Sequence, residues 1–160
     1  MSAGRFLEDF TVGDLYRSAT GRTITKTDNI WFSLLTNNPN PIHIDTHYAE
    51  QTEFGRPLVN SVLTIAVVTG LMVPETSLKG FALGWDEVRL PNPLFEGDTL
   101  YADTEVLEVR ESRSRPGWGI VKARQRGIKQ DGTIVLVMTR TFMVPKRASR
   151  ERDHFPKPKP

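Results

Sequence analysis

Residues 60 to 73 read NSVLTIAVVTGLMV and contain no charged side chain. A stretch that is apolar nearly all round has to be buried, so the rest of the chain must be arranged to cover it. Its many β-branched residues would also suit a buried strand. It is long for a strand, however, and its small residues allow close packing, so a central helix is the better reading. The apolar run from Val62 to Val73 is interrupted by Thr64, Thr69 and Gly70 and is too short to cross a bilayer.

The flanking sequence says what covers this helix. Residues 15 to 24 alternate loosely, as a first strand would. Thr25 can then cap a helix, with Asp28 completing a capping box. Ile30, Trp31, Leu34 and Leu35 follow at helical spacing as its apolar face. Beyond Pro74 the texture changes. FALGWDEVRL, DTLYADTEVLEVRE, WGIVKARQRGIKQ and TIVLVMTRTFMV read as four strands, with Asp131-Gly132 as a hairpin turn. One strand, helices and then an antiparallel meander amount to an α+β fold. A curved antiparallel sheet wraps a long central helix, with sheet edges that a dimer would cover. Trp31, Trp85 and Trp118 are read as packing residues.

At 160 residues the chain suits one domain. We place it at residues 1–145, followed by a basic, Pro-rich, flexible tail at 146–160. That tail carries a net charge of +4 and the rest of the chain −2, so the overall +2 does not argue for nucleic-acid binding. Cysteine is absent, which removes disulfides, thiolate catalysis and Cys-ligated metal sites. The N-terminus has no apolar segment of the secretory type, and the expected location is the cytoplasm.

The stretch TNNPNPIHID, residues 36–45, cannot be a helix interior, because Pro39 and Pro41 each remove a backbone donor. Each also pushes the residue before it toward extended backbone. The result is a stiff loop that holds His43 in place, with Asp45 placed to cap a short following helix. His43 and His47 have metal-like spacing, but Pro41 and the Asp45 cap argue against one continuous helix, and no metal is expected.

Three blocks in order carry a resemblance: Asn40-Pro41-Ile42-His43, then Phe54-Gly55-Arg56-Pro57 before the central helix, then Val88-Arg89-Leu90-Pro91 with Gly97-Asp98-Thr99-Leu100. Together they resemble the MaoC-like (R)-specific enoyl-CoA hydratases, which have the hot-dog fold. The nearest branch is that of the mesaconyl-CoA hydratases (β-methylmalyl-CoA dehydratases) and itaconyl-CoA hydratases. The resemblance implies a hydratase/dehydratase acting on a short, branched or dicarboxylic enoyl-CoA at a homodimer interface, with no cofactor beyond the CoA of the substrate. It implies His43 as acid/base and a backbone N–H at Ser61 as oxyanion donor. Asn38 stands where the family has its catalytic aspartate, and would orient the water or the imidazole. Asn60-Ser61 replaces a common His-Gly pair. Asn40 would brace the loop. Arg56 and Arg89 are candidates for a second substrate carboxylate or a CoA phosphate, and Trp85 lies near the presumed pocket. The alternatives are a hot-dog acyl-CoA thioesterase and a non-catalytic acyl-thioester-binding or scaffold subunit, the latter motivated by Asn38.

Overall fold

The computed structural model describes residues 4–149, 156 and 158. Two short strands, β1 (Leu15–Arg17) and β2 (Arg22–Thr23), lead into helix α1 (Lys26–Leu35). The single-turn helix α2 (Pro41–Ile44), the short α3 (Thr46–Glu50) and the long α4 (Ser61–Thr76) follow. Four strands complete the chain: β3 (Phe81–Arg89), β4 (Thr99–Glu111), β5 (Trp118–Lys129) and β6 (Ile134–Pro145). All ladders are antiparallel, in the order β1-β4-β5-β6-β3, with β2 also on β4. This is the α+β hot-dog arrangement: one sheet with α4 against it.

α4 buries one face, because its inward residues have a sheet to meet. Val62 is 56% exposed and Ala66, Gly70 and Pro74 are exposed too, so the all-round burial expected from its sequence is not found. Leu63, Val68 and Met72 share a core with Ile24, Leu100, Ala102, Leu136 and Met138. A second cluster, built on Phe10, Val106, Val121, Phe142 and Val144, fills the rest of the sheet face. Helix and sheet approach closely at Gly127, where an added Cβ would lie 2.6 Å from Val68 Cγ2. The hairpin at Asp131-Gly132 forms as the dipeptide predicts, with Gly132 at φ +88°.

Three further expectations need correction. The first strand is two, because the chain leaves the ladder at Ser18 and rejoins it at Arg22 on the same partner. Ser18 Oγ takes the Ala102 N–H at 3.1 Å across that gap. α4 runs through Pro74 to Thr76 instead of ending before the proline. The carbonyl that Pro74 leaves unpaired belongs to Gly70, which has open space around it. The apolar face of α1 points outward. Trp31 is 74% exposed, Leu35 80%, and the buried residues are Asn29 and Ser33. Trp31 is therefore not a packing residue, and half-exposed Trp85 is not one either. Trp118 is, with its ring 5.5 Å from that of Phe81.

Lys146 to Ser149 lie against the fold. The Arg147 N–H reaches the Glu8 carboxylate, and Ser149 Oγ donates to the Gly117 carbonyl at 2.7 Å. The remainder of the basic segment falls outside the described residues, apart from exposed Pro156 and Pro158. No helix among the described residues is long and apolar enough to cross a membrane.

Candidate active site

The motif loop begins where α1 ends. Thr25 and Asp28 form the predicted capping box at its start. At its end Asn37 takes a left-handed conformation, φ 54°. Asn37 N–H then reaches Leu34 O at 3.1 Å, and Asn38 N–H reaches Ser33 O at 2.8 Å. This is a Schellman closure, with asparagine in the place usually taken by glycine. Two asparagine turns follow. Asn38 Oδ1 accepts from Asn40 N–H at 3.2 Å, and Asn40 Oδ1 accepts from Ile42 N–H at 3.2 Å, capping α2. Pro41 occupies the first helical position, where its missing donor costs nothing. Asp45 caps α3 through Tyr48 N–H, as expected, and turns the chain so that His47 sits on a different helix from His43. No group of three or more potential metal ligands lies together among the described residues.

His43 is 7% exposed, and its Nδ1 is 2.8 Å from the Leu58 carbonyl oxygen. A carbonyl only accepts, so Nδ1 carries the hydrogen. In the neutral ring Nε2 therefore keeps a lone pair, as a general base requires. The backbone repeats the link, with Leu58 N–H donating to Ile42 O at 3.0 Å.

The start of α4 supplies a complementary donor. Asn60 is the N-cap, its Oδ1 accepting from Val62 N–H at 3.0 Å. Its carbonyl accepts the Thr64 N–H at 3.1 Å. Ser61 and Leu63 N–H are left without a protein acceptor among the described residues. Ser61 also lines a cavity of about 280 Å³ with Phe54, Leu58, Thr64, Leu90 and Val135. An unpaired N–H at the positive end of a 16-residue helix, on a residue that lines the cavity, is a strong place for negative charge to develop.

The other candidate residues divide. Asn60 is 2% exposed, and its side chain is committed to Val62 N–H and Ser33 Oγ, so it braces the helix start instead of facing a ligand. Asn38 lines a separate depression with Leu34, Asn37 and Pro39, and no hydrogen bond joins it to His43 among the described residues. Arg56 is exposed, with its guanidinium 3.9 Å above the Phe95 ring, itself 6.3 Å from the ring of Phe54 on the cavity wall. Arg89 follows the bulge at Glu87, φ 54°, and is exposed beside the lining residue Leu90. Trp85 sits on edge strand β3 and is not part of the cavity wall.

Sequence reasoning missed Asn29. It is fully buried, and its amide nitrogen lies 3.0 Å from His43 O, 3.1 Å from Leu58 O and 3.2 Å from Glu96 Oε1. Its Oδ1 accepts Asn60 N–H at 2.9 Å. The one available signal was the four-residue spacing of Asn29 and Ser33, a polar stripe opposite the apolar one on α1.

The family model described as mesaconyl-CoA hydratase matches residues 1–156. Mesaconyl-CoA hydratase of Cereibacter sphaeroides is 33% identical over 147 residues, which is 91% of this chain and 43% of that protein. β-Methylmalyl-CoA dehydratase of Chloroflexus aurantiacus is 32% identical over 145 residues, 90% of this chain and 41% of that protein. The chain thus spans less than half the length of these curated relatives. A solved MaoC-like dehydratase from Rhodospirillum rubrum superposes with a TM-score of 0.78 at 30% identity, covering 90% of this chain and 99% of that one.

Proposed function

The chain belongs to the mesaconyl-CoA hydratase family, and from that premise we propose that it catalyses the reversible addition of water to a short enoyl-CoA. The observation that carries the proposal is a tautomer-fixed imidazole bonded to the carbonyl of Leu58, which lines one cavity together with Ser61, the bearer of an unpaired helix N-terminal amide. His43 itself is not among the residues lining that cavity. In the hydration direction His43 Nε2 takes a proton from water as the oxygen bonds to the β-carbon. The electron pair of the double bond moves to the thioester oxygen, where Ser61 N–H receives the developing charge. The imidazolium then returns the proton to the α-carbon. Atoms and charge balance without a metal or redox partner, and dehydration is the reverse sequence.

A cavity of about 280 Å³ is at the small end for ligand sites and suits a short acyl group. Mesaconyl-type and itaconyl-type substrates carry a second carboxylate, and the exposed guanidiniums of Arg56 and Arg89 near the cavity are its candidate partners, or those of a CoA phosphate. Asn38 can donate a hydrogen bond to a water but cannot take its proton. A CoA thioester substrate fits a cytoplasmic enzyme. The exposed edge strand β3 fits a homodimer.

Loss of enoyl-thioester absorbance with mesaconyl-CoA, itaconyl-CoA and crotonyl-CoA tests this directly. The wild type is expected to hydrate a branched dicarboxylic substrate, and His43→Ala to lower kcat at least a hundredfold. A second reading, a silent acyl-thioester-binding subunit, is favoured by Asn38. It would prevail if the wild type bound without turnover while Asn38→Asp gained activity. Release of free CoA from saturated acyl-CoAs would instead indicate a thioesterase.

A further inference from the structure

We propose that Asn29 is the positioning residue of this site, tying the His43 loop, the carbonyl that sets the imidazole tautomer and the start of α4 into one rigid unit. The inference rests on the hydratase reading for its kinetic consequence, but its geometry stands apart from that reading.

The base and the oxyanion donor sit on segments separated by the whole of α3 and the loop after it. Their relative placement is therefore a tertiary matter. Asn29 is where the segments meet. Its amide N–H groups face two carbonyls, His43 O at 3.0 Å and Leu58 O at 3.1 Å, and its Oδ1 accepts from Asn60 N–H at 2.9 Å. Flipping the carboxamide would set an oxygen against two carbonyl oxygens and a nitrogen against an N–H, so the amide orientation is fixed by its partners.

Leu58 O receives two donors, Asn29 Nδ2–H and His43 Nδ1–H, which use both of its lone pairs. The carbonyl that sets the tautomer is thus itself held by Asn29. Asn60, once fixed through its backbone N–H, is steadied again by Ser33 Oγ at 3.1 Å, one helical turn from Asn29 on α1. Glu96 Oε1, 3.2 Å away, is the third and longest acceptor for an NH₂ with two hydrogens. Every one of these atoms is buried or partly buried, so a lost donor is not replaced cheaply by water. Asn29 touches no reacting atom. It acts through His43 and through the segment bearing Ser61, as outer-shell partners elsewhere hold a ligating imidazole.

The test uses Asn29→Ala, with Asn29→Ser as the milder variant that retains one hydroxyl donor. Two readouts are taken on the folded full chain. Long-range ¹H–¹⁵N spectra, with His43→Gln for assignment, report the His43 tautomer without any substrate. Steady-state kinetics on mesaconyl-CoA report kcat and KM separately. The expected result is a single Nδ1–H tautomer in the wild type and a mixture in Asn29→Ala. With it, kcat should fall about 10- to 100-fold and KM move less than about threefold, Asn29→Ser lying between. Unchanged tautomer and unchanged kcat in both variants overturn the proposal. A fall in rate that only tracks lost folded protein, with the tautomer unmoved, overturns it equally. If the wild type hydrates nothing while the tautomer still shifts, the hydratase reading fails and the positioning role stands.

Discussion

Asp98 closes the loop that forms one wall of the cavity. Its carboxylate accepts from Phe95 N–H at 3.0 Å and Gln130 Nε2 at 3.0 Å, with Lys129 Nζ at 3.4 Å. Burial pushes its pKa up, but these hydrogen bonds and the lysine outweigh burial and hold the carboxyl below its usual range. Asp98→Ala should cost about 2–3 kcal/mol in urea unfolding at neutral pH. Because the folded pKa is the lower one, Asp98 contributes fully above the unfolded value near pH 4, and that contribution is lost as pH falls through the folded value. The gap between wild type and Asp98→Ala should therefore narrow below about pH 4. Arg140 is the opposite case. It is buried against Thr76 and Ser77 hydroxyls, its Nε without a partner among the described residues, and burial lowers its pKa. These hydroxyls lie at the C-terminal, electronegative end of α4, which offsets part of the desolvation cost. Arg140→Met should stay within about 1 kcal/mol of wild type by the same measurement, because an apolar replacement removes that cost along with the bonds.

The helices were legible to different degrees. Periodicity located α1 and its capping box correctly, yet placed its buried face on the wrong side. Trp31, Leu34 and Leu35 look like a core stripe, but the site beneath α1 is polar, lined by the His43 and Leu58 carbonyls and the Asn60 amide. Those groups need both donors and an acceptor, which the Asn29 carboxamide supplies, so Asn29 and Ser33 turn inward. α4 was easier to recognise as a helix against the sheet, but its apolar sequence gave no sign of which side stays open, and Val62, Ala66, Gly70 and Pro74 are the exposed ones. Its contact with β5 depends on Gly127, whose missing Cβ makes room for Val68. Gly127→Ala should destabilise by about 1–3 kcal/mol through overpacking. Combined with Val68→Ala it should cost less than the sum of the two single changes, a coupling that a double-mutant cycle by thermal unfolding will read.

For the molecule as a whole, β3 is one of the two edges of the sheet among the described residues, and Phe81, Leu83 and Trp85 stand exposed along it. An edge of this kind invites pairing with another strand, in keeping with the proposed homodimer. Sedimentation of the wild type should show a dimer, and Leu83→Lys combined with Trp85→Lys should shift it to monomer while far-UV circular dichroism stays unchanged. Sequence alone determined that α4 is a helix, that it packs on a meander of strands, and that the Asn-Pro loop holds His43. Each of these follows from local pattern, namely an apolar run, alternation, or a proline that forbids a helix. What only the tertiary structure decided is which atoms hold the site together. The partner of the His43 ring is a carbonyl fifteen residues away, and the clamp that holds both is an asparagine on another helix. Hydrogen bonds between distant segments leave no period in the sequence, and a buried asparagine is written with the same letter as an exposed one.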